Sequence, residues 1–142
     1  MEYDESHYDK LISKYEDLFE APYIECQIGW YSLIEEAVEK LNMFKDHVKI
    51  AQIKEKFGTL RIYVSYPDDE DDKNITNEKD REKVYKFVDA IIAEAEYIAQ
   101  KTCSSCSAKI TRTQPRDTKR FIPICESCYQ KIRKPKEWIK AI

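Results

Sequence analysis

The chain has 142 residues, 42% of them apolar and 36% charged, which fits one globular domain, or one domain with a small appendage, and argues against a two-domain enzyme. No apolar run reaches the roughly 18 residues that a membrane span needs, and the opening "MEYDESHYDK" is acidic with no apolar signal-like stretch, so a cytoplasmic location is expected. The net charge of −3 hides a division: residues 101–142 carry eleven Lys/Arg against three Asp/Glu, net +8, whereas residues 1–100 carry thirteen against twenty-four, net −11.

From Ser6 to Glu20 the positions Tyr8, Leu11, Ile12, Tyr15, Leu18 and Phe19 follow the three-four spacing of one helical face, with Ser6 as a candidate N-cap and Pro22 beyond the end. The extended piece "YIECQI" leads to Gly29. A second helix is predicted from about Trp30 to Met43, with Leu33, Ile34, Ala37, Val38 and Leu41 in phase. Residues 47–66 change to period two. Leu60, Ile62, Val64 and Tyr66 alternate with Arg61, Tyr63 and Ser65 around a turn at Gly58, which predicts a β-hairpin. In its first strand Val48 and Ile50 are out of step with Ala51 and Ile53, a mismatch that a bulge or burial of both faces would absorb. "PDDEDDKN" (67–74) reads as an acidic surface loop. The following "TNEKDREKVYKFVDAIIAEAEYIAQKT" predicts a long helix with Val84, Phe87, Val88, Ile91, Ile92, Ala95, Ile98 and Ala99 in one stripe. A hairpin cannot stand alone in water, so the helices are expected to pack on one of its faces. The predicted class is α+β: a helix-helix-hairpin-helix body over residues 1–100 and a basic segment over 101–142.

That segment holds four of the five cysteines. Cys103 and Cys106 form one Cys-x-x-Cys, Cys125 and Cys128 another, with eighteen residues between them. Two residues between ligands let both sulfurs of a tight turn reach one ion, and two such pairs complete a tetrahedral S4 site of zinc-ribbon spacing. A reducing cytoplasm favours metal over disulfides. With every position filled by protein, no water could become a nucleophile, so the expected cofactor is one structural Zn²⁺. Cytidine-deaminase chemistry also uses Cys-x-x-Cys, but it needs His-x-Glu and a proline directly before the first cysteine of the pair. Here His47 precedes Val48 and Lys49, and Pro123 stands two residues before Cys125. Four thiolates and one Zn²⁺ would leave the segment near about +6. Such a charge could meet nucleic acid or dock on the chain's own acidic half. Cys26 reads as a small buried apolar residue.

"ECQIGW" (25–30), "QIKEKFGTLRIYV" (52–64) and the two cysteine pairs resemble the hallmarks of a group of uncharacterised small bacterial and phage proteins with a C-terminal zinc ribbon. Its members tend to read Glu-Cys-Gly-Asp-Gly-Trp, then Val-Lys-Glu-Lys-Phe-Gly-Gly-Leu-Arg-Phe-Tyr, then Cys-x-x-Cys-Gly and a final Cys-x-x-Cys. The resemblance covers about Glu25 to Cys128 and departs at Gln27, Ile28, Thr59 and Ser107, the last being where a glycine would be usual. It implies a bacterial or phage origin and brings no activity with it.

Two glycines in the whole chain exclude the Walker phosphate loop and the dinucleotide fingerprint, and two histidines exclude a His-Glu-x-x-His protease. A Cys-His pair would have to use Cys26, and nothing local supports one. "DDEDD" (68–72) lacks the EF-hand glycine and reads as a solvated loop. On the hairpin, Lys54, Lys56, Arg61 and Tyr63 could share the face away from the helices, interleaving cations with an aromatic as single-stranded nucleic acid requires; an ordinary wet sheet face is the bland counterpart. Arg112, Arg116, Lys119 and Arg120 extend the cationic set, as does the tail, where Lys131, Arg133, Lys134 and Lys136 surround Tyr129 and Trp138, with no base-reading element among them. The expected function is therefore a non-enzymatic binding protein that engages nucleic acid or a nucleoprotein complex. The alternative is a phage or mobile-element inhibitor that binds a host protein through its acidic surface. No small-molecule substrate is evident.

Overall fold

The computed structural model describes residues 6–66, 78–110 and 122–132. The acidic loop at 67–74, together with Arg112, Arg116, Lys119, Arg120, Arg133, Lys134 and Trp138, lies outside them. The element order is α1 (Ser6–Lys14), a 3₁₀ turn (Ile28–Trp30), α2 (Tyr31–Asn42), β1 (Lys49–Lys56), β2 (Thr59–Ser65), α3 (Glu78–Ala99) and α4 (Glu126–Ile132). This is an α+β arrangement in the expected sequence of helix, helix, hairpin and helix. No helix among the described residues is long and apolar enough to cross a membrane.

β1 and β2 pair antiparallel, with Lys54 opposite Arg61 and Gln52 opposite Tyr63, and the register shifts between Ile50 and Gln52. That irregularity resolves the mismatch in the first strand. Val48, Ile50 and Ile53 all reach the core, although strict alternation would send Ile50 and Ile53 to opposite faces. The strands join through a two-residue turn in which Phe57 and Gly58 both have positive φ, 53° and 82°. Two positive values match the right-handed twist of a hairpin, and Asn-Gly or Gly-Gly normally supplies them. A phenylalanine there costs on the order of 1–2 kcal/mol of backbone strain. The Gly58 N–H donates to Glu55 Oε2 at 2.8 Å and Thr59 Oγ1 to the Lys56 carbonyl at 2.7 Å, so the turn is held on both sides.

The first helix is shorter than its apolar spacing suggests. Beyond Lys14 the chain tightens through turns, and Leu18 to Glu25 runs beside β1 with parallel bridges Phe19 to Ile50 and Glu25 to Lys54. Glu20 N–H donates to Ile50 O at 2.9 Å, Ile50 N–H to Leu18 O at 2.7 Å, and Glu25 N–H to Ile53 O at 2.9 Å. The demand of β1 for edge partners wins over helix propagation, and Leu18 remains fully buried. On the other edge Glu96 of α3 accepts from the Ile62 N–H at 3.4 Å.

α2 turns Leu33, Ile34, Ala37, Val38 and Leu41 into the core as its spacing predicts, and α3 lies against both α2 and β2. The stripe of α3 is narrower than the sequence suggests: Val88, Ala95 and Ala99 are buried, whereas Phe87 is 59% exposed and Ile98 37%. Phe87 stacks on Phe44 at 5.9 Å instead of entering the core. Truncating Ile34 to Ala should therefore cost about 2–5 kcal/mol, while the larger truncation Phe87→Ala should cost about 1 kcal/mol, the scale of an aromatic pair. Urea denaturation of the two variants measures the difference; equal losses would place Phe87 in the core after all.

Candidate metal centre

α3 ends by running straight into the first cysteine pair. Thr102 closes the helix, its Oγ1 donating to Ile98 O at 2.8 Å, and then pairs with Lys109 as an antiparallel bridge. Inside this small hairpin Cys103 N–H donates to Ala108 O at 2.7 Å, Ser107 N–H to Cys103 O at 3.0 Å, and Cys106 N–H to Cys103 Sγ at 3.5 Å. Residue 107 takes the left-handed conformation, φ 73°, that glycine would adopt without strain. The second pair is built differently from a ribbon of two hairpin turns. Cys125 immediately precedes α4 and Cys128 lies in its first turn, with Tyr129 N–H donating to Cys125 O at 2.9 Å. One turn of helix brings residues three apart to the same side, so it presents two sulfurs as well as a hairpin does.

The four sulfurs all lie within 4.8 Å of one another, and Cys106 Sγ is 3.6 Å from Cys125 Sγ. A tetrahedral ion bound at about 2.3 Å sets its sulfurs about 3.8 Å apart, whereas a disulfide needs about 2.05 Å. All five cysteines are free thiols. The donor set therefore fits a metal ion. Burial pushes the Cys103 thiol up, but the backbone N–H groups of Cys125, Cys106 and Ser105 outweigh it and bring it down to about 7. Burial, followed by the sulfurs of Cys106 and Cys125, pushes Cys128 up to about 12. A bound divalent cation would favour the thiolate form of the sulfurs that ligate it. Around the sulfurs Ile124 and Tyr129 are buried, with Ile110 packed against them, a core too small to fold alone.

What positions this centre is the segment "QIGW", which sequence reasoning did not connect to it. Gly29 N–H donates to Ser104 O at 2.8 Å, and Ser107 Oγ donates to Gly29 O at 2.6 Å. Trp30 Nε1 donates to Thr102 O at 3.0 Å, and Ser104 Oγ donates to Gln27 Oε1 at 3.0 Å. Tyr8 of α1 holds the Gln27 carbonyl through its hydroxyl at 2.8 Å, and burial pushes that hydroxyl well above the ordinary tyrosine range. A Cβ on residue 29 would sit 2.3 Å from the Ser104 carbonyl carbon and 2.4 Å from Cys103 O. Only glycine admits that approach. The available signal was rarity: with two glycines in the chain, each must meet a positional need.

Cys26 stands apart from the four sulfurs, packed against the main core. Burial, then Glu55 and Glu25, push its thiol up to about 12, which makes it a poor nucleophile. Lys54, Lys56, Arg61 and Tyr63 share the outer face of the hairpin, opposite buried Ile53, Leu60 and Ile62. Lys131 is exposed in the last turn of α4. No protein-family model, curated protein or solved structure matches the chain.

Ser107 separates two roles that its substitutions can divide. Ser107→Ala keeps the strained backbone and loses the bond to Gly29 O, so it should destabilise by about 1–2 kcal/mol. Ser107→Gly loses the same bond but relieves a left-handed φ worth about 1 kcal/mol, and should come close to wild type in thermal denaturation. Glycine proving as damaging as alanine would refute this division.

Proposed function

We propose that Cys103, Cys106, Cys125 and Cys128 hold one structural Zn²⁺, and that the protein is a non-enzymatic cytoplasmic binding protein, of the bacterial or phage group its motifs resemble, that engages nucleic acid. The observation that carries the binding reading is the outer hairpin face. Lys54 and Arg61 face each other across the strands, Lys56 lies one step toward the tip, and Lys54 Nζ sits 6.0 Å from the centre of the Tyr63 ring. Among the described residues none of these three cations forms an ion pair, so their charge is open to phosphate. The one carboxylate bridged to their row is Glu25, on the segment beside β1. The basic residues beyond position 110 would add to the same electrostatic attraction. A set of four sulfurs leaves the metal no open position for catalysis, which supports a structural role.

Metal analysis of the reduced protein should return one zinc per chain. Removing it, by a strong chelator or by Cys128→Ser, should unfold the C-terminal segment, because structural zinc contributes on the order of 10 kcal/mol of apparent binding energy; an unchanged melting temperature after full metal removal would refute the structural assignment. For nucleic acid, anisotropy titrations of a labelled single strand should show affinity falling with salt. The combined Lys54→Gln and Arg61→Gln variant should lower the slope of log K against log salt by about 1.4, from roughly 0.7 per lost phosphate contact. A wild type without salt-dependent affinity that instead captures one stoichiometric host protein would replace this reading with the inhibitor.

A further inference from the structure

We propose that Phe57, at the tip of the hairpin, is a stacking platform for the bases of single-stranded nucleic acid, working with Tyr63 along one face; this rests on the nucleic-acid reading above and names its substrate class. Phe57 is the most exposed large apolar side chain among the described residues, at 80%. It also occupies a left-handed position, φ 53°, where a bulky residue is a genuine outlier and Asn or Gly would relieve the strain. The ring belongs to neither core cluster. A chain that places an aromatic ring in water on a strained turn gains nothing for folding from it; such positions tend to be kept for binding.

The surroundings say what would bind. Each of these two exposed aromatics has an ammonium group beside it: Lys56 Nζ lies 5.7 Å from the Phe57 ring centre and Lys54 Nζ 6.0 Å from that of Tyr63, itself 41% exposed. A flat ring beside a cation is the repeating need of a single strand, which offers a base and then a phosphate. Tyr63 stands four residues along β2 from Thr59, about 13 Å at about 3.3 Å per residue, so the stretch from Tyr63 to the tip accommodates a short run of nucleotides. Arg61 and Lys54 lie between the two rings in register. The nearest acidic side chain in the turn, Glu55, lies opposite buried Leu60 and is engaged by the Gly58 N–H, away from the cationic row. A duplex keeps its base faces stacked and could use only the cations. A protein partner would be better served by a continuous apolar patch than by rings each flanked by an ammonium.

The test uses the full zinc-loaded chain and a fluorescein-labelled oligothymidylate, with a duplex of equal length as comparison. Phe57→Asn should leave the melting temperature unchanged or raise it by a few degrees, because it removes the strain. It should weaken single-strand binding about fivefold to a hundredfold, the range for loss of one stacked base, with little change in salt slope and little effect on duplex affinity. Phe57→Trp should bind the single strand within about threefold of wild type, since any large ring can stack. If Phe57→Asn binds as tightly as wild type while Lys54→Gln with Arg61→Gln is weakened, the stacking role is wrong and the cationic reading stands. If wild type binds no single strand, both are wrong. A marked fall in melting temperature for Phe57→Asn would mean that the ring serves the fold, and would overturn the proposal.

Discussion

The contact on which the rest of the molecule depends is the approach of two backbones at Gly29. A side chain there would collide with Cys103 and Ser104 at 2.3–2.4 Å. Because none is present, the turn that carries the first two sulfurs is laid against the body by peptide groups, flanked by Trp30, Gln27 and Ser107. The cysteine segment has little apolar material of its own, chiefly Ile110, Ile124 and Tyr129. Its sulfurs converge because the body fixes one pair, while the Ser104 N–H to Pro123 O bond at 2.8 Å draws in the segment that leads to the other. A metal ion bound there would close a structure already assembled on two sides.

The same contact bears on Ser107, a serine at a left-handed position that glycine would adopt without strain. A glycine would relax the left-handed backbone, yet it could not donate to Gly29 O. The chain accepts strain of about 1 kcal/mol and recovers a comparable amount through a partly buried hydrogen bond between turn and body. The tip of the hairpin accepts strain of the same kind at Phe57, but there no core contact offsets it. Of the two non-glycine residues with positive φ among the described residues, Ser107 is compensated within the fold and Phe57 is not.

Much of the architecture was legible because it follows from local periodicity. The apolar phase of α2 is reproduced residue for residue, the hairpin appears where alternation begins, and the phase slip at Ile50 is a real irregularity in pairing. The cysteine spacing alone predicted the grouping of the four sulfurs, which lie within 4.8 Å of one another. What the sequence could not show were competitions settled between distant segments. Leu18 and Phe19 continue the helical phase of α1 but are claimed by the edge of β1. Phe87 and Ile98 continue the stripe of α3, but the width of the core is set by α2 and β2, and the outer part of the stripe is left in water. The second cysteine pair reads equally well as a hairpin turn or a helix start, since both bring residues three apart to one side. The charge division by residue number is also only part of the pattern: Lys54, Lys56 and Arg61 belong to the acidic half of the chain, yet β pairing collects them into a basic face.

Residues 25 to 30 tie that basic face to the sulfur cluster. At one end Glu25 bridges to Lys54 and accepts from the Glu55 N–H at 3.0 Å, bracing the strand that carries the cations and leads to the Phe57 turn. At the other end, Gln27, Gly29 and Trp30 grip the turn of Cys103 and Ser104. Between them Cys26 packs against the main core, apart from the four clustered sulfurs. Residues 25–30 are thus hydrogen-bonded to β1 at one end and to the cysteine turn at the other. A metal ion at the four sulfurs would hold residues 102–107 and, through their bonds to Gln27, Gly29 and Trp30, would brace the segment that reaches Glu25 and the edge of the sheet.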